Sequence, residues 1–223
     1  MRFVACLLGL ALFVLPGLAL AQEGTTSPPA GPSAPVKPAP WVWAVQPGAK
    51  LMFEGTQQGV PFRGSLPSFS GTIQFRPSDP GNSFIDITIP LRNITVDGYD
   101  RNSAVRTPEW LDTFRYPGAR YVATQFRDEG NNVFTADGFL TLKGRTIYVP
   151  LRFQLTFEDV LNRPESTQPG TYTPVIVGKR AHVRALASIL RSQFGIGPVD
   201  ETSVGETIKV FAEFTAARPV VVE

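Results

Sequence analysis

Few side chains in this sequence could do covalent or metal chemistry. The 223 residues include one histidine, His182, and one cysteine, Cys6. Structural zinc sites and iron–sulfur clusters need several Cys or His ligands at defined spacing, so these metal sites are excluded and no metal ligand is predicted. The sequence also lacks G-x-S-x-G, Walker A and H-E-x-x-H motifs.

His182 is the one residue that could act as the base of a Ser-His-Asp triad. It stands between Arg180 and Arg184 at strand-like spacing, on the face opposite the apolar Val183 and Ala185. This parity predicts a solvent-facing structural histidine. A hydrolase using His182 is kept as an alternative, and the leading interpretation is a non-enzyme with no catalytic residues and no cofactor.

The N-terminus has the composition of an export signal. Arg2 precedes an apolar stretch over 3–20, and Ala19-Leu20-Ala21 is a small-x-small cleavage site. We therefore expect a signal peptide over 1–21, cleaved after Ala21, and a periplasmic or secreted protein. A retained membrane anchor is the alternative interpretation. Cys6 would leave with the signal peptide, so thiol chemistry is not expected in the exported chain.

Residues 22–40 are predicted to be a disordered linker. Six of these 19 residues are Pro, and none is Leu, Ile, Phe, Tyr or Trp. Such a segment buries too little apolar surface to fold, and Pro-rich chains stay extended. It is interpreted either as an unstructured export remnant or as a tether for the domain that follows.

Residues 41–223 have the pattern of one antiparallel β-domain. Several runs alternate apolar and polar residues, which predicts strands with one buried and one wet face. The predicted strands are 51–55, 72–76, 85–89, 121–126, 134–142, 149–157, 183–189 and 208–214. Turns are expected at 77–82, 129–132, 143–144, 164–170 and 195–198, where Gly, Pro, Asn and Asp concentrate.

One segment breaks the alternation and predicts a short helix over 107–114. Thr107 can cap it, Pro108 suits its first position, and Trp110 and Phe114 fall on one side. The helix would either pack on the core or cover an opening. The 14 Phe, 3 Trp and 5 Tyr of the domain fit a packed β-core or a ligand cavity equally well.

The order and spacing of several segments resemble the YceI-like family of exported, lipocalin-like proteins. The resemblance covers roughly residues 41–217 and includes Gly64…Phe69-Ser70-Gly71-Thr72, Arg101…Trp110-Leu111-Asp112…Tyr116-Pro117 and Ala136-Asp137-Gly138-Phe139-Leu140. Arg191-Ser192-Gln193-Phe194-Gly195-Ile196-Gly197 is similar to the family's R-x-x-F-G-hydrophobic-G segment. Arg101-Asn102-Ser103 departs from the family, in which an Asp and then a His often follow the Arg.

The resemblance implies an all-β fold, an antiparallel lipocalin-like barrel of about eight strands with one short helix. It also implies an apolar tunnel that binds a long isoprenoid or quinone-like lipid. From the apolar parity, we expect the lining to include Phe53, Phe75, Ile85, Ile87, Leu151, Phe153 and Leu155, with Trp110 and Phe114 near the mouth. The alternative for each of these residues is a dry packed core.

The family resemblance further suggests a homodimer and a membrane redox protein as partners. The second function hypothesis is therefore a periplasmic interaction module that docks on a membrane redox protein. Nucleic acid is not an expected partner, because the net charge is only +2 and Lys and Arg are not clustered.

Overall fold

A computed structural model describes residues 41–162, 175–198, 200 and 202–219. Within them the chain forms one sheet of eleven strands, one α-helix and two short 3₁₀ turns. The strands are β1 (Val42–Val45), β2 (Lys50–Gln57), β3 (Val60–Leu66), β4 (Ser70–Gln74), β5 (Phe84–Pro90), β6 (Thr95–Val96), β7 (Gly118–Gly130), β8 (Val133–Leu142), β9 (Arg145–Asn162), β10 (Val175–Leu190) and β11 (Thr207–Pro219). The helix α1 is Tyr99–Ala104, and the 3₁₀ turns are Pro80–Asn82 and Arg191–Phe194.

Eight of the strands close into an antiparallel barrel. Their order around the ring is β1-β4-β5-β7-β8-β9-β10-β11, and β11 pairs back with β1 to close it. One edge of β11 pairs with β10, and its other edge has two partners: Ala216 and Ala217 pair with β1, and Lys209–Glu213 pairs with β2. Strands β2, β3 and β6 therefore branch from the ring at β11 and extend the same sheet.

The predicted fold class, an antiparallel lipocalin-like barrel of about eight strands with one short helix, is confirmed. The long predicted alternations at 134–142, 149–157, 183–189 and 208–214 form β8, β9, β10 and β11. The alternating apolar residues of β10 from Val183 to Ile189 are buried, and those of β11 from Ile208 to Phe214 are half-buried. Strands β1, β3 and β6 were not predicted. The turn expected at 164–170, the linker and the signal peptide lie outside the described residues.

The prediction of a helix over 107–114 is wrong, because the one helix lies earlier, at Tyr99–Ala104. Two amides of the predicted segment turn back to earlier carbonyls: Leu111 N donates to Val105 O and Thr113 N donates to Arg106 O. Asp112 has a φ of 46°, which a right-handed helix does not allow. The segment therefore forms successive turns, which we call the mouth loop (residues 105–117).

The end of the barrel away from α1 is filled by aromatic rings. Phe75 contacts Phe134, Phe153 and Phe126 with ring centroids 5.0, 5.2 and 5.4 Å apart. The first two contacts are edge-to-face, the geometry that aromatic quadrupoles favour. We call Phe75, Phe126, Phe134 and Phe153 the aromatic plug.

None of the helices in the described part of the chain is long and apolar enough to cross a membrane.

Candidate functional site

The barrel interior contains two apolar cavities. The inner cavity, next to the aromatic plug, has a volume of about 80 Å³, and its described lining residues are all apolar. Its walls include Trp43, Leu51, Phe69, Ile73, Phe75, Ile85, Ile87, Ile89, Leu151, Phe153, Leu155, Ala185 and Ala212. The outer cavity, under α1 and the mouth loop, has a volume of about 390 Å³. Its walls include Phe53, Phe62, Leu66, Leu91, Ile94, Val96, Trp110, Leu111, Leu142, Ile189, Val204, Ile208 and Val210.

The two cavities follow one another along the barrel. On β2, Leu51 lines the inner cavity and Phe53, the next inward residue, lines the outer one. Likewise, on β11, Ala212 lines the inner cavity and Val210 lines the outer one. Side chains two residues apart share one face of a strand, so both cavities lie on the inward face.

Two glycines allow phenylalanine rings to lie flat against the wall of the outer cavity. A Cβ at Gly64 would come within 2.1 Å of Cζ of Phe53, its cross-strand partner. A Cβ at Gly55 would come within 2.6 Å of Cζ of Phe62. Because neither glycine has a side chain, the two rings rest on the β2–β3 backbone and leave the space in front of them open.

Arg101 gives the mouth of the outer cavity a polar rim. Its Nε donates to Asp97 O at 2.6 Å, its Nη1 donates to Gln57 Oε1 at 2.9 Å, and its guanidinium lies 5.6 Å from the centre of the Phe62 ring. These contacts join α1 to the β2–β3 hairpin. Asn102, which follows it, accepts a hydrogen bond from Val96 N at 3.1 Å and so serves α1 packing.

A second arginine, Arg191, is buried where the outer cavity meets the segment after β10. Its side chain is 7% exposed, and its guanidinium donates to Ile196 O at 3.0 Å and Val204 O at 3.1 Å. These hydrogen bonds hold the segment after β10 against the wall of the outer cavity. The backbone of Gly197, with a φ of 82°, passes so close that a Cβ there would lie 2.8 Å from Arg191 Nη1 and 3.3 Å from Trp110.

The mouth loop is tied to the barrel by hydrogen bonds to its backbone. Lys143, in the turn between β8 and β9, donates from Nζ to Glu109 O at 3.1 Å and to Gly195 O at 2.7 Å. Gly197 N also donates to Glu109 O, at 2.8 Å. Partial burial holds the pKa of Lys143 below its usual value. These bonds hold Trp110 and Leu111 over the outer cavity.

Residues 43–216 match the family model for the YceI-like domain. The chain belongs to the YceI-like family. The curated relatives it matches include a UPF0312 protein of Photorhabdus laumondii, 27% identical over 95 residues, and protein YceI of Escherichia coli O157:H7, 28% identical over 122 residues. The first match covers 43% of this chain and 49% of the relative, and the second covers 50% and 63%. The chain thus spans about half to two thirds of the length of these relatives.

Solved YceI-like structures share the fold. BcnA of Burkholderia cenocepacia superposes with a TM-score of 0.60 at 21% identity, over 75% of this chain and 95% of that one. The YceI protein of Campylobacter jejuni gives 0.55 at 16% identity, over 70% and 84%. A polyisoprenoid binding domain from Saccharophagus degradans, implicated in plant cell wall breakdown, gives 0.51 at 11% identity, over 81% and 100%.

Within this YceI-like barrel, eight of the nine residues expected from the sequence border a cavity. The inner cavity has Phe75, Ile85, Ile87, Leu151, Phe153 and Leu155 in its wall, and the outer cavity has Phe53 and Trp110. Phe114 lines neither one, since the turn at Asp112 leaves its side chain 92% exposed. Sequence reasoning missed Phe62, Leu66, Leu91, Ile94 and Val96, because β3, β6 and the loop before β6 lack a long alternation.

His182 lies outside the barrel, as its parity predicted. Its side chain is 52% exposed, with Nδ1 3.0 Å from Thr215 Oγ1 and Nε2 3.5 Å from Glu158 Oε2. It borders an open crevice of about 430 Å³ on the outer face, shared with Lys50 and Arg184. Val183, the next residue on β10, lines the inner cavity, and successive strand residues face opposite sides, so His182 is on the side of the sheet away from the interior.

Among the described residues, no group of three or more His, Cys, Asp or Glu side chains could hold a metal ion.

Proposed function

We propose that this protein binds the apolar tail of a long-chain isoprenoid or quinone-like lipid inside its barrel, without converting it chemically. It would carry, store or sequester the lipid in the bacterial cell envelope. The observation that carries the proposal is the outer cavity, about 390 Å³ in volume and walled mainly by aliphatic and aromatic side chains. Pockets that hold small organic ligands typically measure about 300–1,000 Å³.

The driving force would be removal of the lipid tail from water. Each buried methylene contributes about 0.8 kcal/mol, so ten methylenes supply about 8 kcal/mol before the entropic costs of binding. None of the described residues in the wall of the inner cavity has a charged or amide side chain. The polar side chains of the outer cavity belong to Gln57, Tyr99, Asp100, Arg101 and Arg191, and its other described lining residues are apolar. This arrangement suits a chain with at most one polar end.

The comparisons support a binding role over catalysis. A solved relative of the same fold is named a polyisoprenoid binding domain. Of the residues proposed to contact the lipid, Phe53, Phe75, Ile85, Ile87, Leu151, Phe153, Leu155 and Trp110 border the cavities, and Phe114 would touch it only outside them. Export to the periplasm, a homodimer and a membrane redox partner remain predictions.

The test is native mass spectrometry of the full chain purified from its own host, followed by organic extraction of the bound material. We expect a mass increment and an extracted prenyl lipid. Recovery of empty protein alone would contradict the proposal. The His182→Ala protein serves as a matched control, because His182 faces outward and its loss should leave the bound lipid unchanged. A turnover that His182→Ala abolished would instead support the hydrolase.

A further inference from the structure

The inner and outer cavities are separate, although they lie one behind the other. No residue of the described chain lines both. Leu51 and Leu66 are cross-strand partners on β2 and β3, and one lines each cavity: Leu51 the inner, Leu66 the outer. Directly paired side chains on one face have Cβ atoms about 5 Å apart, so the two leucines meet at the boundary.

The same boundary continues around the barrel. At the end of β5, Ile89 lines the inner cavity, and Leu91, two residues on, lines the outer one. In the neighbouring pairs between β2 and β11, both members line the same cavity. Leu51 and Ala212 both line the inner cavity, and Phe53 and Val210 both line the outer one.

We propose that the Leu51–Leu66 pair is a partition that limits how much of a lipid tail enters the barrel. The inference rests on the proposed lipid binding and adds a specificity determinant to it. A chain that enters past Trp110 would reach the leucine pair and stop there. Only the end of a long tail would be enclosed, and the remainder would stay at the mouth. In the wild type, the partition would narrow the lipid contacts proposed above to outer-cavity residues such as Phe53 and Trp110. The inner-cavity residues would meet the tail only once the partition is opened: Phe75, Ile85, Ile87, Leu151, Phe153 and Leu155.

The cavity volumes give the expected length. A non-hydrogen atom of a condensed liquid occupies about 30 Å³, taking water as the measure. The outer cavity would then enclose about 13 chain atoms, between two and three isoprene units of five carbons, and the inner cavity only about 3. Leu66→Ala would join the two cavities and also free the room of the three side-chain carbons that it removes. The joined space would hold about 19 atoms.

A chain with a heavy atom at its far end tests where the tail stops. Crystals of the wild-type chain and of Leu66→Ala are soaked with an unbranched sixteen-carbon alcohol that carries bromine on its last carbon, and the bromine is located by anomalous scattering. In Leu66→Ala we expect bromine in the inner cavity, beside Trp43 and Ile87. In the wild type we expect it outside that cavity.

Leu142→Ala is the matched control. Leu142 also lines the outer cavity and loses the same three carbons, but its β9 partner is Arg145, away from the boundary. Bromine in the inner cavity of the wild type or of Leu142→Ala would overturn the partition, as would its absence from the inner cavity of Leu66→Ala. Leu66→Val repeats the test with a smaller loss of packing in case Leu66→Ala does not fold.

Xenon separates a failure of the partition from a failure of lipid binding. It enters apolar cavities without needing a lipid head group to be recognised. If no protein binds the bromo-alcohol, the proposed lipid binding is contradicted, and xenon-pressurised crystals then decide the partition. Xenon sites running continuously from Trp43 to Val210 in Leu66→Ala alone support it. Separate sites in all three proteins overturn it.

Discussion

At the scale of single residues, the packing of the barrel interior depends on aromatic rings that lie against glycines. Tyr121, on β7, points into the barrel and covers Gly138 of β8. Its Oη lies 3.0 Å from both Ala136 O and Val149 O and can donate its proton to either. A buried hydroxyl with such partners avoids the cost of an unmade hydrogen bond. The ring therefore has little freedom to move away from Gly138.

Gly138→Ala should destabilise the fold for this reason. The new Cβ would lie 2.5 Å from Tyr121 Cζ and Oη and 2.7 Å from Val122 O. Forcing a methyl into packed space costs about 1–3 kcal/mol of unfolding free energy, measured by urea denaturation. Gly81→Ala is the control, because a Cβ there meets nothing closer than Asp79 Oδ1 at 4.0 Å. Equal stabilities of the two variants would contradict this account.

Tyr121 should also make stability depend on alkaline pH. Burial raises the pKa of its phenol well above the usual value of about 10. The folded state keeps the proton that the unfolded chain loses, so this contribution is complete below about pH 10 and is lost as pH rises further.

Tyr121→Phe should therefore lose less unfolding free energy between about pH 9 and 11 than the wild type does. Urea titrations at several pH values measure it. Tyr99→Phe, at a side chain that is 87% exposed, is the control and should follow the wild type. The same alkaline slope for Tyr121→Phe and the wild type would show that this phenol is not responsible.

Residue parity predicted much of the candidate site, and it failed where position depends on tertiary contacts. Ile85 and Ile87 were assigned an inward face from alternation alone, and both border the inner cavity. Phe114 was placed by helical spacing, whereas the loop turns at Asp112 and exposes it. No local pattern could indicate that Phe62 lies over Gly55, since that contact is made across two strands.

At the scale of elements, the aromatic plug joins strands that are distant in sequence. Phe75 follows β4, Phe126 lies on β7, Phe134 on β8 and Phe153 on β9. Ring packing between them links one side of the barrel to the other, in addition to the backbone ladder. The plug should therefore contribute strongly to global stability.

Phe75→Ala should lower the unfolding free energy by about 3–5 kcal/mol, the usual cost of removing a buried phenylalanine. Phe75 is 3% exposed and contacts three other rings. Phe114→Ala is the matched control: the same atoms are removed from a side chain that is 92% exposed, so the change should stay within about 0.5 kcal/mol. Similar losses in both variants would argue against a plug that stabilises the barrel.

The strands with the longest regular alternation of apolar and polar residues were the easiest elements to predict from the sequence. Strands β9, β10 and β11 alternate over many residues, so their pattern indicated both the strand and its buried face. Helix α1 has six residues, none of them buried, and Gly98 before it makes no side-chain cap. It therefore lacks the helical spacing of apolar residues and the capping residue from which a helix is predicted. The segment 107–114 has both of these features and nevertheless forms turns.

At the scale of the whole molecule, lipid binding should be a property of the barrel alone. Deleting residues 22–40 while keeping the export signal should leave the amount of bound lipid unchanged, because the barrel supplies all the described lining residues of both cavities. Lipid extraction and mass spectrometry of the two exported chains measure this. If the deletion instead weakened binding to a membrane redox protein, the second function hypothesis would gain support.

The aromatic plug also bears on the order of events during exchange. With one end of the interior filled by rings, a tail bound as proposed would enter and leave at the same end. An incoming chain could not push a resident one out from behind. Replacement would have to wait for spontaneous departure, so with competitor in excess its observed rate should equal the dissociation rate and should not rise with further competitor. Such a barrel would hold a lipid and release it at the same opening, and would not pass it through from one end to the other.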